Sequence, residues 1–541
     1  MPCGSGVKKT ARMRVLGQGA AWVLFCFSCL VVSAARAGEK QRLPNILWIV
    51  AENISLDLGC YGQQQVRTPN LDRLAARGMR YTRCWATSPV CAPSRSAFFT
   101  GMYQTTIDVH HMRSHREDDF RLPPGVRPIT HRLQQAGYFT ANIRRIGSRV
   151  VGTGKLDLNF VNEGPIFQSD QWEQLRSHQP FFAVINTPEV EYDIYDRKTA
   201  GKARVKWVGE DEHPRIATPE NVQPPPYYPD HRIVREEWAR FLNSVSGLDR
   251  RVGWVLDRLR RDGLHQNTVI FFFADNGRLE ARGIHWPWAS GLHVPLIVYW
   301  PPGLPAPKGY QPGAVCHRLV SLLDVTATTL AVAGVRRPMV MHSRVFLGRW
   351  SDPPRRYLFS ARDRIDETVI RMRSVYDGRY HYIRNFTPGA GFLTLNRYKE
   401  KCFLVKPLMR RLHAQGRLSG AAAELMKPFP REMLYDTQAD PHEIHNLASS
   451  PDPRHREALL RLRAALETWM PRPATGATSP SPRNVFAASS RKCTSGSAPL
   501  RGIARPRQTP FLQESALHLA AGSACDLAVR QRTPAAGNLR L

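Results

Sequence analysis

Oxygen-bearing side chains follow two apolar segments that lie far apart along the chain. Glu52 and Asn53 come directly after residues 45–51, and Asp275 and Asn276 end a second apolar segment. Carboxylate and amide oxygens are the ligands that hard divalent cations prefer, calcium above all. The pattern therefore predicts a calcium site, with the alternative that these polar residues only form the turns that usually follow strands.

A cysteine lies in residues 88–101, which read Ser-Pro-Val-Cys-Ala-Pro-Ser-Arg-Ser-Ala-Phe-Phe-Thr-Gly. A free cysteine by itself is most simply a small buried hydrophobic residue. The whole segment, however, resembles the type I sulfatases, whose motif is Cys-x-Pro-Ser-Arg followed by a short helix and a Thr-Gly pair. Cys91 and Arg95 are the first and last residues of that motif here. The resemblance identifies Cys91 as a catalytic residue.

The resemblance to the sulfatases covers most of the chain, from residue 45 to about residue 447. It includes residues 58–62, 68–72, 273–277, 293–298, 434–436, 440–441 and 446–447. Within the family, the sequence is most similar to bacterial relatives of heparan N-sulfatase (N-sulfoglucosamine sulfohydrolase), through residues 101–105 and 110–114.

The resemblance implies a mechanism of sulfate hydrolysis. Cys91 would be oxidised to formylglycine by a separate sulfatase-maturing enzyme, and the hydrated aldehyde would provide the nucleophile. One hydroxyl would attack sulfur and the other would expel sulfate by re-forming the aldehyde. Arg95 would steady the diol and Lys155 would hold a sulfate oxygen, while the calcium ion would polarise the sulfate group. The substrate would be a sulfate ester or sulfamate on a carbohydrate.

Several positions depart from the family pattern. Asn53 stands where a carboxylate is usual, which lowers the charge of the calcium site. Asp157 ends the lysine motif where many sulfatases carry histidine. The histidine expected shortly after residues 181–186 is absent, and Glu191 is the nearest acidic substitute. A glutamate there acts as an acid only if its pKa is raised.

The second active-site cation of the family also lacks a direct match. The loop after Asp275 reads Arg-Gly-Ile-His at residues 282–285, so that Ile284 departs from the pattern and Arg282 or His285 is the expected substitute. These departures leave two alternatives open. The protein could be a degenerate homologue that binds sulfated glycan without turnover. It could also be a phosphodiesterase or phosphatase of the same superfamily, although those enzymes generally use threonine or serine where Cys91 stands.

The arrangement of apolar and helical segments predicts an α/β fold. Strand-length apolar runs occupy residues 45–51, 180–186, 268–275 and 294–299, and helical patterns between them include residues 70–77 and 232–262. Continuous apolar runs indicate strands buried on both faces, as in parallel sheets. The sulfatase resemblance implies an alkaline-phosphatase-like mixed sheet sandwiched by helices, with a smaller C-terminal α+β subdomain.

Four regions are expected along the chain. They are an export signal (1–37), a sulfatase catalytic domain (41–334), a C-terminal subdomain (335–470) and a basic Pro/Ser/Ala/Arg-rich tail (471–541) expected to be disordered. The signal has basic residues, an apolar run at residues 20–32 and a small-x-small cleavage site. That run is shorter than the roughly 20 residues that span a bilayer, so we expect a periplasmic or secreted protein without stable membrane insertion. A retained N-terminal anchor is the alternative.

The charge of the chain is strongly positive, with 76 Lys+Arg against 45 Asp+Glu and a formal net charge of +31. Such a charge attracts nucleic acid, anionic lipid or a polyanionic substrate. The motifs favour a sulfated carbohydrate and give no support to nucleic acid, and a basic surface without a partner is the simpler alternative. Export permits disulfides, for which Cys60 with Cys84 and Cys316 with Cys402 are the candidate pairs.

Overall fold

The computed structural model describes residues 43–115, 118–188 and 216–470, together with residue 190 and the backbone of the short strands Tyr192–Asp193 and Lys206–Trp207. The predicted export signal, the predicted basic tail and Glu191 lie outside the described residues.

The described residues form sixteen strands and ten α-helices. The strands are β1 (Asn45–Ala51), β2 (Met79–Trp85), β3 (Phe139–Ile146), β4 (Arg149–Val150), β5 (Ser169–Gln171), β6 (Phe181–Asn186), β7 (Tyr192–Asp193), β8 (Lys206–Trp207), β9 (Thr268–Ala274), β10 (His293–Tyr299), β11 (Val315–Cys316), β12 (Val320–Ser321), β13 (Leu358–Ile365), β14 (Thr368–Tyr376), β15 (Tyr380–Asn385) and β16 (Glu432–Asp436). The helices are α1 (Pro69–Arg77), α2 (Cys91–Thr100), α3 (Ile129–Gln135), α4 (Arg232–Arg261), α5 (Ala289–Leu292), α6 (Asp324–Val332), α7 (Arg397–Cys402), α8 (Val405–Ala414), α9 (Gly420–Leu425) and α10 (Pro453–Trp469).

The larger sheet is mixed and follows the order β11-β2-β10-β9-β1-β6-β3-β4, with β12 beside β2 and β5 beside β3. Strand β1 is parallel to both β6 and β9, whereas β10 is antiparallel to β9 and β2. The register pairs Ala51 with Ala274, so the carboxyl ends of β1 and β9 lie level. Residues that follow these two strands therefore emerge side by side, as the sequence predicts.

Aromatic packing fixes helix α2 against the larger sheet. Trp48 on β1 is fully buried and meets Phe98 and Phe99 of α2 edge to face, with ring centroids 6.0 and 6.1 Å apart. Its indole nitrogen donates to Thr329 Oγ1 of α6 at 2.9 Å. Edge-to-face contacts between large rings stabilise a core beyond the area they bury. Phe98 and Phe99, near the C-terminal end of α2, thus anchor the helix that begins at Cys91.

A second, antiparallel sheet follows the order β13-β14-β15-β16 and packs under α10. Its first strand lies along the segment that leads into α2, because Ala361 N donates to Thr87 O at 2.9 Å and Ser360 Oγ donates to Ala86 O at 2.7 Å. This sheet falls within residues 335–470, and the boundary between residues 334 and 335 stays a prediction.

The predicted fold class is confirmed, since the chain forms a mixed sheet with helices and a separate C-terminal antiparallel sheet. One strand differs in direction. Residues 293–299 form an antiparallel neighbour of β9, although their apolar run suggested a parallel strand. A central strand is buried on both faces in either direction, so an apolar run does not determine its orientation.

Two further expectations concern covalent and membrane structure. The candidate disulfides are not formed, because Cys60, Cys84, Cys316 and Cys402 all carry free thiols. Burial raises the pKa of the Cys60 and Cys402 thiols to about 12, which keeps them protonated.

Within the described residues, no helix combines the length and apolarity that a membrane span requires.

The aromatic cluster around Trp48 makes a testable prediction about stability. Replacing the buried ring in Trp48→Ala should lower the free energy of unfolding by about 3–5 kcal/mol, because it opens a cavity and removes the bond to Thr329. Urea denaturation followed by circular dichroism measures this. The control Leu404→Ala removes a half-exposed apolar side chain and should cost below about 1 kcal/mol. Equal losses in both variants would contradict this description of the core.

Candidate active site

The two level strand ends place a pair of carboxylates side by side in the protein interior. Glu52 follows β1 and is 1% exposed, and Asp275 follows β9 and is fully buried. The backbone N–H of Asn53 donates to Asp275 Oδ1 at 3.3 Å, which joins the two strand ends. Buried carboxylates are costly unless cations or donors compensate them.

Arg95 of α2 supplies that compensation. Its guanidinium is fully buried and lies 2.5 Å from Glu52 Oε1 through Nη2 and 2.9 Å from Asp275 Oδ2 through Nε. Burial alone would lower the pKa of Arg95, but the charges of Glu52 and then Asp275 raise it above its usual value. Burial, followed by the neighbouring Glu52 charge, raises the pKa of Asp275. Arg95 therefore stays charged and holds both carboxylates in place.

Cys91 is the first residue of α2, and its sulfur faces the carboxylate pair. The ligand atoms of Glu52, Cys91 and Asp275 all lie within 4.8 Å of one another. Cys91 is 5% exposed and packs beside Met112 and Ile365. The start of a helix favours negative charge, because its N–H groups point outwards there. The cysteine of the motif thus lies at a position suited to a nucleophile.

Lys155 brings a second cation to Glu52. Its Nζ lies 2.5 Å from Glu52 Oε2, and its side chain is 17% exposed to solvent. The loop that carries Lys155 is fastened to β6, because Asn186 Nδ2 donates to the Lys155 carbonyl oxygen at 3.0 Å. Lys155 therefore lies between the buried carboxylates and the surface, where a substrate would approach.

Asn186 is a member of the site that the sequence reasoning did not identify. It is the last residue of β6, it is fully buried, and its Oδ1 accepts a hydrogen bond from Arg95 Nη1 at 2.8 Å. It thus connects the Arg95 guanidinium to the Lys155 loop. Its position in the sequence could have identified it. Asn186 is a polar residue at the end of an apolar run, as Glu52 is after β1.

The predicted metal ligands fit a cation site. Asn53 Oδ1 accepts from Asn276 Nδ2 at 2.9 Å, so both amides border the carboxylate pair. Asn276 Oδ1 is buried, and the described residues offer it no hydrogen-bond donor. Two carboxylates and two amide oxygens, one of which is buried without a donor, form a donor set of the kind that calcium binds.

Arg282 and His285, the two candidates for the second active-site cation, lie in different environments. Arg282 turns away from the carboxylate pair, because its guanidinium donates to the carbonyl oxygens of His442 at 3.0 Å and Glu443 at 2.7 Å. His285 lies against the motif instead, since its backbone N–H donates to Pro89 O at 2.8 Å. Burial and then the charges of Lys399 and Arg362 lower the pKa of His285 well below its usual value, so its ring is neutral.

The other departures also have defined positions where the structure describes them. Asp157 lies near Arg113, with 3.9 Å between its Oδ1 and the guanidinium Nε. Ile284 is buried and contributes no charge. Glu191 lies outside the described residues. Geometry therefore brings together Glu52, Asn53, Cys91, Arg95, Lys155, Asp275 and Asn276, and it leaves Arg282 in a separate environment.

The sequence and the fold are similar to those of several known proteins. The Sulfatase family model matches residues 44–152 and 166–335. An ulvan-active sulfatase of Formosa agariphila is 30% identical over 493 residues, which cover 83% of this chain and 79% of that protein. Human N-sulphoglucosamine sulphohydrolase is 27% identical over 498 residues, which cover 82% and 92%. The solved structure of BT4656 with its substrate D-glucosamine-2-N,6-O-disulfate has a TM-score of 0.52 at 16% identity, over 79% of this chain and 97% of that chain.

The Arg95 contacts predict a large effect on stability. Arg95→Met should lower the free energy of unfolding by about 3–5 kcal/mol, because it leaves two buried carboxylates without their shared partner. Arg121→Met is the matched control, since Arg121 makes an exposed ion pair with Glu163 and should contribute below about 1 kcal/mol. Urea denaturation measures both variants. A loss below 1 kcal/mol in Arg95→Met would show that the guanidinium does not hold the site together.

Proposed function

This chain belongs to the sulfatase family, and from that premise we propose that it hydrolyses sulfate esters or sulfamates carried by a carbohydrate. The observation that carries the proposal is the convergence of Cys91, Arg95 and Lys155 on the buried pair Glu52 and Asp275. The names of the relatives support a carbohydrate substrate, since they include an ulvan-active sulfatase and an N-sulphoglucosamine sulphohydrolase.

Cys91 is the precursor of the nucleophile in this proposal. Oxidation of its thiol to formylglycine by a separate maturing enzyme would supply, as the aldehyde hydrate, the oxygen that attacks sulfur. Arg95 fixes the two carboxylates beside residue 91 and adds positive charge. Lys155 holds a sulfate oxygen, because its ammonium lies at the exposed side of the cluster. Fixed cations placed before the reaction stabilise the negative charge that develops on the transferring group.

Glu52, Asn53, Asp275 and Asn276 hold a calcium ion in the proposed active enzyme. The ion would polarise the sulfate oxygens and favour ionisation of the nucleophile. Asn53 is a neutral ligand, so the site binds calcium less tightly than one with a third carboxylate. Lys155 can exchange its contact with Glu52 for a sulfate oxygen, which keeps the ammonium paired when substrate is present.

The leaving group needs an acid. His285 packs beside the motif, but its neutral ring carries no positive charge to the leaving group near pH 7. Glu191 stays the proposed acid, and a raised pKa would be required for that role. Arg282 is a poor candidate for contact with the reacting sulfate, because two backbone carbonyls already bind its guanidinium.

The proposal includes export. Residues 1–37 direct the chain to the periplasm or the exterior, residues 41–334 form the catalytic domain and residues 335–470 form the C-terminal subdomain. A periplasmic or secreted location would expose the enzyme to sulfated polysaccharides, which its net charge of +31 attracts.

One observation favours the second candidate, a degenerate homologue that binds sulfated glycan without turnover. Ile284 is buried where the family has a cation, and Arg282 does not replace that cation at the carboxylate pair. Binding of a sulfated sugar by Arg95, Lys155 and calcium requires neither formylglycine nor an acid. The two candidates therefore differ in the state of Cys91 and in the release of sulfate.

One experiment separates them. The exported protein should yield a Cys91 peptide whose mass corresponds to formylglycine, and it should release sulfate from an aryl sulfate or N-sulfoglucosamine in the presence of calcium. Cys91→Ala is the control and should lower sulfate release to the background rate, since it removes the nucleophile precursor. An intact thiol together with no sulfate release from any sulfated saccharide would establish the binding protein instead of the enzyme.

A further inference from the structure

A cavity lies between the two sheets, and its near wall includes Ser55 and Arg278, which follow Asn53 and Asn276 by two residues. Its volume is about 380 Å³. The end of β2, the start of β10, the loop after β9 and residues 437–443 form its walls. The side chains that define its chemistry are Arg83, Arg278, Arg282, Trp85, Tyr227 and Tyr376. Cys91, Glu52 and Lys155 are not among the residues that line it.

Aromatic rings form the rigid part of this cavity. Trp85 stacks on Tyr376 with 4.3 Å between centroids and 13° between planes, and both rings are buried. Tyr227 lies under the Arg282 guanidinium, 4.4 Å from it. Its hydroxyl donates to Glu280 at 2.6 Å, which fixes the ring. Trp85, Tyr376 and Tyr227 are at most 5% exposed, so they give the cavity a rigid wall but offer little ring surface for stacking.

The charge of the cavity is positive. In the described part of the chain, no carboxylate lies within ion-pair distance of Arg83 or Arg282, whereas Arg278 pairs with Asp57 at 2.7 Å. The carboxylate of Glu443 is held by His381 Nδ1 at 2.6 Å and by the Ala289 N–H at 2.7 Å. The net charge of the cavity is therefore positive, because Arg83 and Arg282 have no carboxylate partner among the described residues and the carboxylate of Glu443 is already bonded to other groups.

The far wall of the cavity, at Tyr376, is separated from Cys91 by the length of β13. The first residue of β13, Leu358, pairs with Tyr376 at the cavity, and its last residue, Ile365, packs beside Cys91. Because β13 has eight residues, at about 3.3 Å per residue the two places are on the order of 20 Å apart. A monosaccharide bound at Cys91 cannot reach the Tyr376 wall, but an oligosaccharide can.

We propose that this cavity, which we call the Arg83 cavity, binds a sulfated sugar of an oligosaccharide whose reacting sulfate lies at Cys91. The inference deepens the proposed function and rests on it for the identity of the ligand. Arg83 contacts the sulfate directly, because it is half-buried at the cavity wall. Arg282, whose guanidinium lies over the Tyr227 ring, contributes its charge to the cavity. Sulfated polymers would therefore be bound at two places, and small sulfated sugars at one.

Chemistry within the cavity favours a sugar over an acidic peptide. Guanidinium groups bind sulfate and carboxylate alike. The side-chain hydroxyls of Ser55, Thr82 and Thr437 line the same cavity, and they can accept hydrogen bonds from the hydroxyls of a sugar, which a peptide carboxylate does not offer. A peptide carboxylate would use only the arginines.

The affinity of a variant that cannot hydrolyse its substrate tests the Arg83 cavity directly. In the full-length Cys91→Ala background, isothermal titration would compare a heparin-derived hexasaccharide with N-sulfoglucosamine. Adding Arg83→Gln should weaken hexasaccharide binding at least fivefold and leave monosaccharide binding within twofold, and Arg83→Glu should weaken the hexasaccharide further. Arg80→Gln is the matched control, because Arg80 lies on the same strand over the Tyr61 ring. Its hexasaccharide affinity should match that of the background.

Two results would overturn the proposal. Arg83→Gln and Arg83→Glu could both bind the hexasaccharide as the background does, which would remove Arg83 from any contact. A polyglutamate peptide could compete with the hexasaccharide at equal charge concentration, which would assign the cavity to acidic peptides. Because binding is measured without turnover, a failure of sulfate release in the Cys91 experiment leaves this test intact.

Discussion

The buried arginine between two carboxylates is the constraint on which this site depends. Arg95 bonds to both Glu52 and Asp275, at 2.5 and 2.9 Å, and so allows the two carboxylates to lie together in the interior. That geometry requires β1 and β9 to end level and α2 to be anchored by its aromatic end against Trp48. The position of Cys91, one helical turn before Arg95, follows from the same helix.

Charge balance explains how such a site can accept a metal and a sulfate. Two carboxylates face two cations, Arg95 and Lys155, so these four groups are neutral together. A divalent cation would give the cluster a charge of about +2, and the single negative charge of a sulfate ester or sulfamate would lower it to about +1. Calcium and substrate should therefore reinforce each other's binding, because each offsets the charge that the other brings.

Several features of the fold and the site follow from the sequence for clear physical reasons. Apolar runs predict β1 and β9, and the polar residues after them predict the carboxylate pair. The role of Asn186 was not predictable in this way, because a single asparagine at a strand end also serves as a turn former. The orientation of Arg282 depends on carbonyl groups of residues 442 and 443, which are distant along the chain. Contacts between residues so far apart along the chain leave no pattern in the local sequence from which they could be predicted.

The most direct test of this account is a crystal structure of Cys91→Ala protein grown with calcium and sulfate. The account predicts a calcium ion bound by Glu52, Asn53, Asp275 and Asn276, with a sulfate ion between that site, Lys155 and residue 91. It also predicts that Arg95 keeps its contacts with both carboxylates. A structure at saturating calcium in which Lys155 stays on Glu52 and no ion is bound there would contradict the account.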